Sequence, residues 1–284
     1  MNLKMLIGGL AAAAVVLAGG YDRFRNYVEQ WTGGNFLPQS NVGHVLGSSP
    51  TATPAIADMG LPEFDGERRS QIIHHVGYTV SYNAETKIPN YVAWTLTPER
   101  FEETVSRTDK FLPDPEVADP VTTDDYKRSG YDRGHLCPAA DNKWNEQAME
   151  ESFYMTNICP QNHNLNGGGW KELEEACRDW TMEWGKLYVV AGPILHDGQH
   201  KRIGESRVVV PDAFFKVVLC PAPLKAVGFV YKNAAGSRPM ETYARTVDEV
   251  ERIAGMDFFT SLPDSLETAV EAECDWAEWQ LPRH

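Results

Sequence analysis

Residues 169–184 read GWKELEEACRDWTMEW. Trp170, Leu173, Cys177, Trp180 and Trp184 recur at steps of three and four, the spacing that lines apolar side chains along one face of an α-helix. The same geometry sets Glu174 and Arg178 one turn apart and off that stripe, where side chains four residues apart become neighbours. A helix packed through its tryptophans is predicted, with a carboxylate and a guanidinium beside the packed face.

On either side the pattern changes. Residues 72–82 (IIHHVGYTVSY) and 91–96 (YVAWTL) are β-branched and aromatic in emphasis and are separated by a polar turn, so paired strands are expected. Residues 187–191, 214–219 and 226–231 are short apolar runs bounded by Gly and Pro, as buried strands are. The predicted fold class is α+β, with a central antiparallel sheet flanked by helices. A second helix is expected from Thr246, where Thr246 and Glu249 have the spacing of a capping box ahead of Val250 and Ile253.

The chain has 284 residues, of which 42% are hydrophobic and 11% aromatic, enough for a sizeable core without cross-links. Its net charge of −14 excludes a broad basic surface, so any polyanion must be met locally. The first twenty residues place Lys4 ahead of an apolar run at 5–18 that ends in Val16-Leu17-Ala18, the pattern of an export signal. The alternative is a membrane anchor through residues 5–18, although a span needs roughly 20 apolar residues. The expected organisation is a signal or anchor at 1–20, a Gly-, Pro-, Ser- and Thr-rich linker at 21–66 and one folded domain at 67–284. Export to the periplasm or outside the cell is expected. Cys137, Cys159, Cys177, Cys220 and Cys274 then suggest one or two disulfides and one thiol left over, with Cys220–Cys274 as a pairing that would pin the tail to the sheet.

Tyr131-Asp132-Arg133-Gly134-His135, followed by Asn157, Asn166, Glu174 and Arg178, supplies the parts needed to cut a phosphodiester. That reaction needs a water nucleophile, a group to take its proton, and positive charge where oxygens become more negative. His135 suits the base. Gly134 would let backbone approach substrate or adopt a conformation closed to other residues. Asn166 lies in the Asn- and Gly-rich loop 162–169 and offers the hard oxygen that Mg²⁺ accepts while keeping its waters, although the same loop also reads as a helix cap. Glu174 could hold a metal-bound water, while alone with Arg178 it would be an ordinary surface pair.

Asp132-Arg133-Gly134-His135, Thr156-Asn157-Ile158-Cys159-Pro160-Gln161, and Leu165-Asn166 followed by Trp170 and Leu173-Glu174 stand in the order that carries a family resemblance. Together they resemble the DNA/RNA non-specific endonuclease family, the endonuclease G-like ββα-metal nucleases, over about residues 78–259. The resemblance implies that His135 is the general base and Asn166 the sole protein ligand of a hydrated Mg²⁺, with Mn²⁺ as a substitute. It implies that Glu174 orients the metal's waters, that Arg133 and Arg178 contact phosphate, and that Asn157 holds the site in shape. Arg107 matches an additional upstream phosphate-binding arginine. The implied substrates are DNA and RNA, and an inhibitor protein is a further partner class. Two rival readings compete: a zinc site built from His135, Cys137, Cys159 and His163, and an inactive nuclease-fold protein that binds nucleic acid or belongs to the envelope. The joint presence of His135, Asn166, Glu174 and Arg178 speaks against a decayed site.

Overall fold

Alternation along strands sets the two faces of this domain, which a computed structural model describes over residues 60–281 except Glu103 and Ser237. The expected signal or anchor therefore lies outside the described residues. So does most of the expected linker. Its last residues are folded: Glu63–Phe64 (β1) pairs antiparallel with Met256–Asp257 (β13), and Phe64 packs against Tyr91 at 6.0 Å between ring centroids.

The main sheet has seven antiparallel strands. Its chain-order members are Gln71–His74 (β2), Thr79–Asn83 (β3), Ile88–Leu96 (β4), Leu187–Ile194 (β7), Ala213–Pro221 (β10), Leu224–Lys232 (β11) and Ala244–Arg245 (β12), arranged β12-β11-β10-β7-β4-β3-β2. Residues 72–82 thus make two strands rather than one. His75 donates its backbone N–H to the Tyr78 carbonyl at 2.8 Å, and the turn folds Ile73 back against Val80. Two small ribbons complete the strands: Asp132–His135 (β5) with Ile158–Gln161 (β6), and Arg202–Ile203 (β8) with Val208–Val209 (β9).

The helices are Glu146–Glu151 (α1), His163–Asn166 (α2), Gly169–Trp184 (α3), Val247–Ala254 (α4) and Asp264–Glu271 (α5). α3 has the bounds its apolar stripe predicts, and it covers one face of the sheet. Trp170 meets Phe214 at 5.7 Å and Trp180 stacks on Phe229 at 6.2 Å. The alternate residues point the other way: Phe215 packs on Phe258 at 5.4 Å. There Gly228 lies under α4, since a Cβ on it would come within 2.4 Å of the Val250 Cγ2. Helices on both faces explain why β10 is buried along almost its whole length. The capping box at Thr246 and Glu249 is formed as the sequence indicates. Among the described residues no helix is long and apolar enough to cross a membrane.

All five cysteines are free, which corrects the expectation of disulfides and of a Cys220–Cys274 link. Four of them are buried. Burial pushes the Cys177 thiol up to about 12 and the Cys220 thiol up to about 11, so these sulfurs stay protonated and pack as small apolar groups.

Where α4 and α5 meet, carboxylate oxygens of Asp248, Glu251 and Glu271 lie within 4.8 Å of one another. Glu271 is 4% exposed, and among the described residues none of the three forms an ion pair with Lys or Arg. Burial, and then the neighbouring Glu251, raises the Glu271 carboxyl to about 9.

Candidate active site

Residues of β5, α2 and α3 line a cleft of about 720 Å³. Arg107, Arg133, His135, Asn166, Glu174 and Arg178 all line it. Residues far apart in sequence are gathered because Asp132–His135 pairs with Ile158–Gln161, and the chain then passes directly into the two helices. Lys127 and Lys171 also line the cleft, so five cationic side chains face two carboxylates, Asp132 and Glu174. A protein with a net charge of −14 thus gathers cationic side chains in one place.

His135 is packed between two rings, with Phe153 edge-on at 5.0 Å and Phe111 tilted at 5.3 Å. Its Nε2 is buried and has no hydrogen-bond partner in the protein. Burial first, and then the charges of Arg107 and Arg133, hold the imidazole down to about 3. It is neutral at physiological pH. The backbone beneath it is pinned: Trp170 Nε1 donates to the His135 carbonyl at 3.1 Å.

Asn157 does not line the cleft. It is wholly buried, its Oδ1 accepts from the Cys137 N–H at 2.9 Å, and its Nδ2 donates to the carbonyls of Cys137 and Ser152, each at 2.8 Å. It clamps the chain just after His135. Gly134 likewise answers to packing: its Cβ position falls 2.1 Å from Gln161 Oε1 and 2.6 Å from the Gln161 Cβ. Space for a cross-strand side chain, rather than approach to substrate or an unusual backbone angle, requires glycine there.

Asn166 donates Nδ2 to Asp132 Oδ2 at 3.0 Å, and His163 Nδ1 meets the same oxygen at 2.9 Å. Asp132, quoted in the motif but given no role by it, holds both side chains, and its partners lie on another element. Glu174 is half-buried on α3, where burial raises its carboxyl to about 7, with Lys216 the largest opposing influence. Arg178 donates Nη1 to Asp141 Oδ1 at 3.1 Å, and Trp94 Nε1 reaches Asp141 Oδ2 at 3.1 Å. Burial disfavours the charge on Arg178, but the Asp141 carboxylate outweighs it and leaves the guanidinium more basic than usual. Arg133 lies over the Phe111 ring at 4.2 Å, and Arg107 over Phe153 at 5.1 Å while paired with Asp109. Both are exposed to an incoming anion.

The zinc reading does not survive this geometry. His163 turns to Asp132, Cys137 and Cys159 are buried thiols, and among the described residues the four proposed ligands do not converge. The hard-cation reading fits better. Asn166 commits its nitrogen to Asp132, so its oxygen is the atom that could hold a hard cation, beside a carboxylate suited to orienting water.

A ββα site with a neutral histidine, an oriented asparagine and a ring of cations defines a class of metal-assisted phosphodiesterase folds. Consistent with this, residues 57–265 match the DNA/RNA non-specific endonuclease family, and the chain belongs to it. The match begins inside the segment read as linker. A mitochondrial nuclease EXOG from Danio rerio is 36% identical over 226 residues, covering 73% of this chain and 65% of its own. Human mitochondrial endonuclease G is 31% identical over 224 residues, covering 73% of this chain and 74% of its own. The solved EndoG/EndoGI complex aligns with a TM-score of 0.65 at 29% identity, over 70% of this chain and 89% of that one. The chain spans just under two thirds of the length of the Danio rerio and Xenopus laevis EXOG relatives.

Proposed function

We propose that this protein is an endonuclease that hydrolyses phosphodiester bonds of DNA and RNA with little base preference, using His135 to take a proton from water. The observation that carries this reading is a neutral imidazole with an unpartnered ring nitrogen at a cleft lined by five cations. Arg133, Arg107, Lys127 and Lys171 would draw in the backbone phosphates, which carry no sequence information. Arg178, aimed by Asp141, would meet charge developing on the phosphate oxygens. Asn166 would hold a Mg²⁺, with Mn²⁺ as a substitute, and Glu174 would orient its waters. Such a cation supplies Lewis-acid stabilisation of the leaving oxygen.

Export through residues 1–20, by cleavage or retention as an anchor, is part of the same proposal and is tested by the N-terminal sequence of the mature protein. An inhibitor protein is a fitting partner, because the aligned neighbour is EndoG in an inhibitory complex with EndoGI. Digestion of plasmid and of RNA, with Mg²⁺ and with EDTA, tests the activity. Cleavage of both that EDTA abolishes is expected, and no cleavage at any Mg²⁺ concentration overturns the reading.

A further inference from the structure

Lys216 is the lone charge in the apolar run of β10, and it is 0% exposed. Its Nζ has no hydrogen-bond partner. Instead the ammonium lies 4.4 Å from the ring centroid of Trp170 and 5.4 Å from that of Trp94. A buried ammonium is costly unless something compensates it, and a methionine would fill the same strand position without that cost. What lies around it supplies the reason.

Both indoles that the ammonium touches serve the cleft. Trp170 donates to the His135 carbonyl and Trp94 to Asp141, the residue that holds Arg178. Burial raises the carboxyls of Glu174 and Asp141. Lys216 is the largest opposing influence on Glu174 and stands second to Arg178 on Asp141. One cation therefore lies behind the base, the carboxylate and the arginine of the site, buried and outside the lining of the cleft.

We propose that Lys216 is a positioning residue for phosphodiester cleavage, an internal cation that braces the Trp170 and Trp94 indoles behind His135 and Asp141 and balances the charge of Glu174. This rests on the endonuclease reading above. Faces of indole rings attract an ammonium, so the two tryptophans are held by a contact that neutral residues do not replace. The carboxylates gain a fixed counter-charge that needs no water.

The test uses the full chain, supercoiled plasmid and saturating Mg²⁺. Lys216→Met should fold, because the methionine fills the strand position and removes the cost of a buried charge, which offsets the lost contacts with the two indoles. Its kcat should fall about 10- to 100-fold, the range for groups that orient working residues from behind, while KM stays within twofold. In the E174Q background, where the charge to be balanced is already gone, K216M should cost clearly less than it does in wild type, the remainder being the loss of the indole contacts. A kcat for K216M within twofold of wild type, a loss confined to KM, or an equal further loss in the E174Q background overturns the proposal. So does failure of both K216M and K216M/E174Q to fold, which would make the lysine a requirement of folding. A wild-type protein that cuts nothing would instead remove the endonuclease reading itself.

Discussion

Asn166 donates its side-chain amide to Asp132 Oδ2 across 3.0 Å, and this bond decides which end of Asn166 a cation meets. With the nitrogen committed, the oxygen is the end left to face the proposed cation. Without Asp132 the amide can rotate, and His163 loses the same anchor.

Asp132→Ala should therefore weaken metal use more than chemistry. Removing such an orienting partner is worth roughly 10- to 100-fold in metal affinity or activity. Titration of plasmid cleavage with Mg²⁺ should show the half-saturating concentration raised by about that factor, with most of kcat recovered at high Mg²⁺. An unchanged Mg²⁺ curve would remove Asp132 from the metal's support.

Glu174 carries a carboxyl that burial raises to about 7. A carboxyl must release its proton before it can serve a cation or its waters, so metal affinity should weaken as pH falls through that value. One pH unit below it about a tenth of the groups are ionised, and half-saturating Mg²⁺ should be about tenfold higher at pH 6 than at pH 8. The acid limb belongs to Glu174 rather than His135, whose imidazole stays neutral down to about 3. Mg²⁺ curves that coincide at the two pH values would contradict this assignment.

The parts legible in the sequence are those set by local spacing. The tryptophan stripe gave α3 its bounds, Thr246 and Glu249 gave α4 its start, and the strand-like runs fall within β4, β7, β10 and β11. The cleft-lining residues His135, Asn166, Glu174, Arg178, Arg133 and Arg107 were legible as a motif. What escaped depends on partners distant in the chain. Asp141 orients Arg178 from 37 residues away, and nothing near Asp141 signals that pairing. Lys216 left one trace, a charge inside an apolar run, and its meaning required knowing that Trp94 and Trp170 converge on it. The break in residues 72–82 turned on a tight backbone bond at His75 within otherwise strand-forming residues.

The cluster at α4 and α5 predicts how stability depends on pH. Folded Glu271 keeps its proton up to about 9, against a usual 4.5. A carboxyl raised on folding stabilises the folded state fully below its unfolded value, and that stabilisation is lost as pH rises through the folded value. Tm should accordingly decline between pH 5 and pH 9, and Glu271→Gln, which cannot ionise, should flatten that slope. Parallel Tm curves for the two proteins would show that the cluster does not carry the effect.

In the proposed reaction His135 takes the proton from the attacking water. General base catalysis contributes about 10²- to 10⁴-fold. The deciding measurement is the single-turnover cleavage rate of plasmid by His135→Ala at saturating Mg²⁺, with Tm confirming the fold. A rate at least about 10²-fold below wild type is expected. A folded His135→Ala protein that cuts within a few-fold of the wild-type rate would contradict it.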